Sequence, residues 1–134
     1  MALRVHNITF DCRDAMAQAR FWAELLGWHV FFDDDPEVLL APRFPHEGPG
    51  LLFIPVPEDK VVKNRVHLDL EPETGTRDEA VDRAVALGAT VVGDFRTPEG
   101  GGWVTLADPE GNELCIERST AERGTGPQAY RIST

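Results

Sequence analysis

Val5-His6-Asn7-Ile8-Thr9-Phe10-Asp11-Cys12 alternates in character, with Ile8, Phe10 and Cys12 on one face and Asn7, Thr9 and Asp11 on the other. A period of two predicts a strand with one face on a core. The period then lengthens. Asp14 can cap a helix over 15–26, in which Ala19, Phe21, Trp22, Leu25 and Leu26 form an apolar stripe. Gly27 supplies the left-handed residue that ends such a helix. Residues 28–32, 38–41 and 50–56 read as three further strands, with Asp33-Asp34-Asp35-Pro36 as a turn and 42–49 as a loop.

The same order then returns. Arg65-Val66-His67-Leu68-Asp69-Leu70 again alternates, placing His67 and Asp69 on the face opposite Val66, Leu68 and Leu70. Thr76 or Asp78 opens a second helix through Ala80, Val81, Ala84, Val85 and Leu87, and Gly88 ends it. Residues 89–92, 103–107 and 113–117 read as strands, the last two joined by the turn Asp108-Pro109-Glu110-Gly111-Asn112. Leu87-Gly88 answers Leu26-Gly27, and His67 answers Asn7, at an offset of about 60 residues. An internal repeat of this kind predicts an α+β fold of two βαβββ modules, residues 3–57 and 62–118, within one domain over 1–118. Each sheet has one face for its helix and a second that must be covered or left wet. Two such sheets side by side, curving together with the helices outside, make a partial barrel. The semi-polar faces then converge on a cavity, the usual place for a small-molecule site. Residues 119–134, rich in Gly, Ser, Thr and Arg and without periodicity, read as a flexible tail.

The chain has 134 residues, 42% of them apolar and 27% charged, with a formal net charge of −10. That charge opposes phosphate backbones and anionic membrane surfaces, so neither nucleic acid nor a membrane is expected as a partner. No apolar run approaches the roughly 20 residues that cross a bilayer, and the N-terminus has no signal-peptide zones. A cytoplasmic location is the expectation. There the two cysteines, Cys12 and Cys115, stay as free thiols packed in apolar stretches.

The run Ala19-Arg20-Phe21-Trp22-Ala23-Glu24-Leu25-Leu26-Gly27 resembles a helix signature of the vicinal oxygen chelate superfamily. That group includes glyoxalase I, extradiol dioxygenases, fosfomycin-resistance enzymes and bleomycin-binding proteins. Lys63-Asn64-Arg65-Val66-His67-Leu68-Asp69-Leu70 and Ala107-Asp108-Pro109-Glu110-Gly111-Asn112-Glu113-Leu114-Cys115 are similar to its glyoxalase-like branch. The resemblance covers roughly residues 3–118 and implies a homodimer. It also implies where a divalent ion would sit in members that do metal chemistry. By motif, those ligand positions fall on Asn7, His67, Cys115 and, in the first module, near Ile54 or Pro55. His67 alone is a strong ligand, and His6 is out of register on the opposite face. Asp69 and Glu117 lie two residues along from ligand positions, about 6–7 Å away in a strand. No metal or other cofactor is therefore expected; the alternative is a soft divalent ion at His67 and Cys115.

The candidate ligand-binding residues are Asn7, Thr9, Asp11, His67, Asp69, Trp103 and Cys115, with His67 as the candidate acid or base. A carboxylate from Asp69 or Asp11 would assist such an imidazole. Flanking Glu113 and Glu117 would raise the Cys115 pKa and weaken it as a nucleophile. Trp103, beside Gly100-Gly101-Gly102, can stack on a planar ligand from a mobile loop or simply pack. Trp28, Phe31, Phe32 and Phe53 can line the cavity or form core. The glycine run lacks the strand–helix context of a phosphate cradle. Two functional expectations follow: a metal-free small-molecule binder, of the drug- or metabolite-sequestering kind, or an enzyme (lyase, isomerase or dioxygenase) that uses an unusual metal set or His67 alone. A third is a structural or regulatory module that pairs with another protein.

Overall fold

The structure is a computed structural model that describes residues 1–32 and 35–124. Two compact units divide at Val61/Val62, and each holds one four-stranded sheet and one long helix in the same chain order. The first contains β1 (Asn7–Cys12), α1 (Ala15–Leu26), β2 (His29–Phe31), β3 (Val38–Ala41) and β4 (Gly50–Pro55). The second contains β5 (Leu68–Leu70), α2 (Arg77–Leu87), β6 (Thr90–Asp94), β7 (Val104–Ala107) and β8 (Glu113–Ile116), then α3 (Thr120–Arg123). Sheet order is β1-β4-β3-β2 in one and β5-β8-β7-β6 in the other. In each, the module's first and last strands run parallel and the other pairs are antiparallel. The α+β architecture of two βαβββ modules thus stands as the sequence period implies.

In the first unit the Asp14 carboxylate accepts the Ala17 N–H at 3.0 Å and so satisfies a donor that the helix start leaves unpaired. Gly27 closes α1 at φ 69°, a conformation that costs glycine nothing. The apolar stripe of α1 covers the face carrying Phe10, Leu40, Leu51 and Phe53. Trp22 is fully buried and meets Phe10 edge-on at 5.2 Å, while Phe10 and Phe53 are 5.1 Å apart. The alternation read in β1 is the alternation found. Its strand is shorter at the start, because pairing with β4 begins at Asn7↔Gly50, leaving Val5 and His6 outside.

In the second unit Thr76 caps α2, accepting the Glu79 N–H at 3.2 Å. Leu106, Leu114 and Val104 are fully buried, and Val81 and Ala84 of α2 are buried with them. Pairing of β5 with β8 begins only at Leu68↔Leu114, so Arg65, Val66 and His67 precede the strand. Residues 119–124, assigned from sequence to the tail, form one turn of helix. The Ser119 hydroxyl accepts the Glu122 N–H while the Glu122 carboxylate accepts the Ser119 N–H, a reciprocal cap whose S-x-x-E spacing stands in the sequence. The rest of the tail, 125–134, and Asp33-Asp34 of the first turn lie outside the described residues.

Candidate functional site

The β7–β8 turn decides which residues meet on the second sheet. Asp108 accepts the backbone N–H groups of Glu110 and Asn112 at 3.0 and 2.9 Å, and the hairpin closes at Ala107↔Glu113. Thr105 is then opposite Cys115, and Cys115 is opposite Asp69 on the parallel side. Gly93 of β6 pairs with Thr105. One row therefore runs Gly93, Thr105, Cys115, Asp69 across all four strands. Leu106, Leu114 and Leu68 form the neighbouring row on the other face.

His67 joins this row from outside the ladder. Its Nδ1 lies 3.2 Å from Asp69 Oδ1 and 3.8 Å from Cys115 Sγ, and Sγ is 3.3 Å from Thr105 Oγ1. One imidazole nitrogen, one carboxylate oxygen and one sulfur all fall within 4.8 Å of one another. This corrects the expectation that Asp69 stands too far off to share a centre. The strand rise separates the Cα atoms of His67 and Asp69, but their side chains lean toward each other, and cross-strand register brings Asp69 directly beside Cys115. His67 Nε2 has no partner among the described residues.

The Cys115 thiol is buried, 3% exposed, and burial pushes its pKa above the ordinary thiol value. The Thr105 hydroxyl bond works the other way, and the carboxylates of Asp69 and Glu117 add to the rise. The expected effect of Glu117 holds. Asp69 takes the part given to Glu113, whose carboxylate is paired with Lys63. At neutral pH Cys115 is a thiol, a weak hydrogen-bonding group and not a nucleophile.

At the Gly93 end, Phe95 lies over the glycine; a Cβ there would meet its ring at 2.6 Å. Trp103 stacks on Phe95 with ring centroids 4.9 Å apart and planes 23° apart. The glycine loop beside it is met by a side chain from α2. Arg77, 5% exposed, donates from Nη1 to the carbonyls of Gly100, Gly101 and Gly102 at 3.3, 2.7 and 3.1 Å. Sequence reasoning missed Thr105, Phe95 and Arg77. Thr105 was accessible from the turn, since a hairpin closed at 107/113 places 105 opposite 115.

Asn7, Thr9 and Asp11 stand in one row on β1 of the first unit, paired with Gly50, Leu52 and Ile54. Asn7 Oδ1 is buried without a hydrogen-bond partner among the described residues. An orphaned buried acceptor costs about 1–3 kcal/mol, so a donor from outside the chain would be favoured there. Phe53 is core; Phe31 and Phe32 are exposed, and Phe31 leans on Phe44 at 5.7 Å.

A family model described as a glyoxalase-like domain matches residues 7–117, which includes both modules. Comparison with curated protein sequences finds no significant match. Among solved structures, a glyoxalase/bleomycin resistance protein/dioxygenase family enzyme from Burkholderia phytofirmans superposes with a TM-score of 0.65 at 19% identity, covering 85% of this chain and 97% of that one. Lactoylglutathione lyase from Agrobacterium tumefaciens gives 0.57 at 17%, covering 87% and 93%. A mutant of the fosfomycin resistance protein FosX from Listeria monocytogenes, complexed with Mn(II) and 1S,2S-dihydroxypropylphosphonic acid, gives 0.66 at 15%, covering 92% and 98%. At such identities the likeness speaks for fold alone. The family model spans most of the chain, in step with its repeated βαβββ topology, and the chain belongs to the glyoxalase-like domain family.

Proposed function

We propose that this chain is a small-molecule-binding glyoxalase-like protein that works without a metal, acting on drug- or metabolite-sized ligands in the cytoplasm as a homodimer. His67 is the group that meets the ligand. The observation that carries this reading is the commitment of its Nδ1 to Asp69 and Cys115 at 3.2 and 3.8 Å. A neighbouring carboxylate favours a proton on Nδ1 and leaves Nε2 as a hydrogen-bond acceptor, or as a base if the ligand carries a proton to lose. Asp69, Cys115 and Trp103 complete the binding set on the second module, and Asn7, Thr9 and Asp11 are a separate candidate set on the first. A small-molecule screen by chemical-shift perturbation tests the reading. We expect binders that move the His67 and Trp103 ring signals and that are lost in His67→Ala while the fold persists. Binders that ignore His67→Ala would overturn the assignment.

A second reading has its own observation, the three donors within 4.8 Å. A tetrahedral zinc ion at about 2.0–2.3 Å from each ligand needs donors roughly 3.3–3.8 Å apart. Imidazole, carboxylate and thiol fit a borderline ion of this kind, and they suit hard, oxygen-seeking cations poorly. His67, Asp69 and Cys115 would hold it, leaving a position open, and it would supply Lewis-acid polarisation of a ligand oxygen. The protonated Cys115 opposes it, because the thiol must first lose its proton. Calorimetric titration with Zn²⁺ at pH 7 separates the two readings. Weak binding that strengthens as pH rises fits the first; tight, stoichiometric binding lost in Cys115→Ser establishes the second.

A further inference from the structure

His67 stands at a structurally exposed point of the chain. Ladder pairing with β8 starts one residue later, at Leu68↔Leu114, so strand bonds reach only the peptide that follows His67 and leave the one before it unheld. A frayed strand end of this sort opens easily. Yet the imidazole contacts at 3.2 and 3.8 Å tolerate little displacement.

The carboxamide of Asn64 fills the gap. Its Oδ1 accepts the backbone N–H of Glu113 at 3.2 Å. Its Nδ2 donates to the Val66 carbonyl at 3.3 Å and to Asn112 Oδ1 at 3.4 Å. The Val66 carbonyl belongs to the same rigid, planar peptide unit as the His67 N–H, so a hold on one is a hold on the other. The far side of the clasp is equally firm. Asn112 is fixed by its N–H to the Asp108 carboxylate at 2.9 Å and by its carbonyl to the Asp108 N–H at 2.8 Å. Lys63 adds an ion pair to Glu113. One acceptor and two donors on a short planar stem are what Asn provides; Asp lacks the donors and Ser cannot span the three groups.

We propose that Asn64 is the positioning residue of His67: it clamps the peptide plane before the imidazole to the start of β8, and so keeps Nδ1 beside Asp69 and Cys115. This rests on the reading of His67 as the ligand-meeting group. It also accounts for the Asn64 position in the Lys63–Leu70 motif, which the ligand set leaves unexplained.

Long-range ¹H–¹⁵N correlation on the full, histidine-labelled chain tests it without any ligand. His67 signals are identified by their absence in His67→Gln. In the parent protein the neutral ring should carry its proton on Nδ1. In Asn64→Ala the ¹⁵N shifts should move to the averaged pattern of a ring favouring the Nε2–H form, with amide signals of α2 and of β6–β7 unchanged. Should Asn64→Ala not fold, Asn112→Ala removes the contact on the anchoring side and should move the same signals in the same direction, less far. Ring signals identical to the parent in the folded Asn64 variant, or in the Asn112 variant where it replaces it, overturn the proposal. Asp69→Asn separates the two ideas. If it too leaves the ring unmoved, the His67–Asp69 contact itself fails; if it moves the ring while Asn64→Ala does not, only the positioning role falls.

Discussion

Cys115 shows how three neighbours set the chemistry of one atom. Burial and the carboxylates of Asp69 and Glu117 raise its pKa, and the Thr105 hydroxyl lowers it. In the folded protein iodoacetamide labelling of Cys115 at pH 8 should therefore run at least about tenfold slower than in the unfolded chain, as thiolate fraction and access both fall. Asp69→Asn removes a carboxylate that favours the thiol, so labelling should quicken; Thr105→Val removes the bond that favours the thiolate, so it should slow further. Mass spectrometry of the labelled peptide over time reads all three, with Cys12, also buried, as the internal reference. Equal rates in the two variants would show that access alone governs the thiol. The same residue also marks a boundary of sequence reasoning. The effect of Glu117 was readable from strand alternation, whereas that of Asp69 depends on a parallel pairing across more than forty residues of chain.

Among the elements, the β6–β7 hairpin depends on a residue from another element. Arg77, first in α2, donates to three consecutive glycine carbonyls and to Asp78 at 3.1 Å, while its own N–H is taken by Glu122 of α3 at 2.7 Å. A lysine cannot reproduce that planar fork. Arg77→Lys should cost about 2–3 kcal/mol by losing charge-assisted hydrogen bonds to half-buried carbonyls, read from the midpoint of urea unfolding, and should loosen the Trp103–Phe95 stack in near-UV circular dichroism. A cost under half of that would mean the loop stands by its own turns. Gly102 is more restrictive still. At φ 81° a Cβ would lie 1.9 Å from the Phe95 carbonyl oxygen, so Gly102→Ala should lose at least about 2 kcal/mol. The sequence showed three glycines in a row; a buried arginine from another part of the chain makes them acceptors.

For the whole molecule, acid response follows from the arginine network at this corner. Arg96 hydrogen-bonds hold Asp94 down at about 2, and bonds from Arg77 and Arg96 lower Asp78. Carboxylates depressed in the fold contribute stability that is present above their unfolded value near 4 and is lost as pH falls toward 2. Thermal midpoints should accordingly hold down to about pH 4 and then drop, and Asp94→Asn should flatten that drop; an unchanged slope would remove Asp94 from the account. Phe53→Ala, at a fully buried site against Phe10, should cost about 3–5 kcal/mol. The proposed homodimer has a direct check, since sedimentation should return twice the mass of one chain. No helix among the described residues is long and apolar enough to cross a membrane. The fold lay open in the order of residues, because hydrophobic period, caps such as Asp14 and Thr76, and the duplicated βαβββ order are local or repeated signals. Alternation likewise put His67 and Asp69 on one face. Only the tertiary structure set Asp69 beside Cys115, Arg77 under the glycine loop and Asn64 behind His67. Those meetings are made by parallel register and by side chains reaching across the sequence, and a period counts positions along a strand without saying which strand lies next to it.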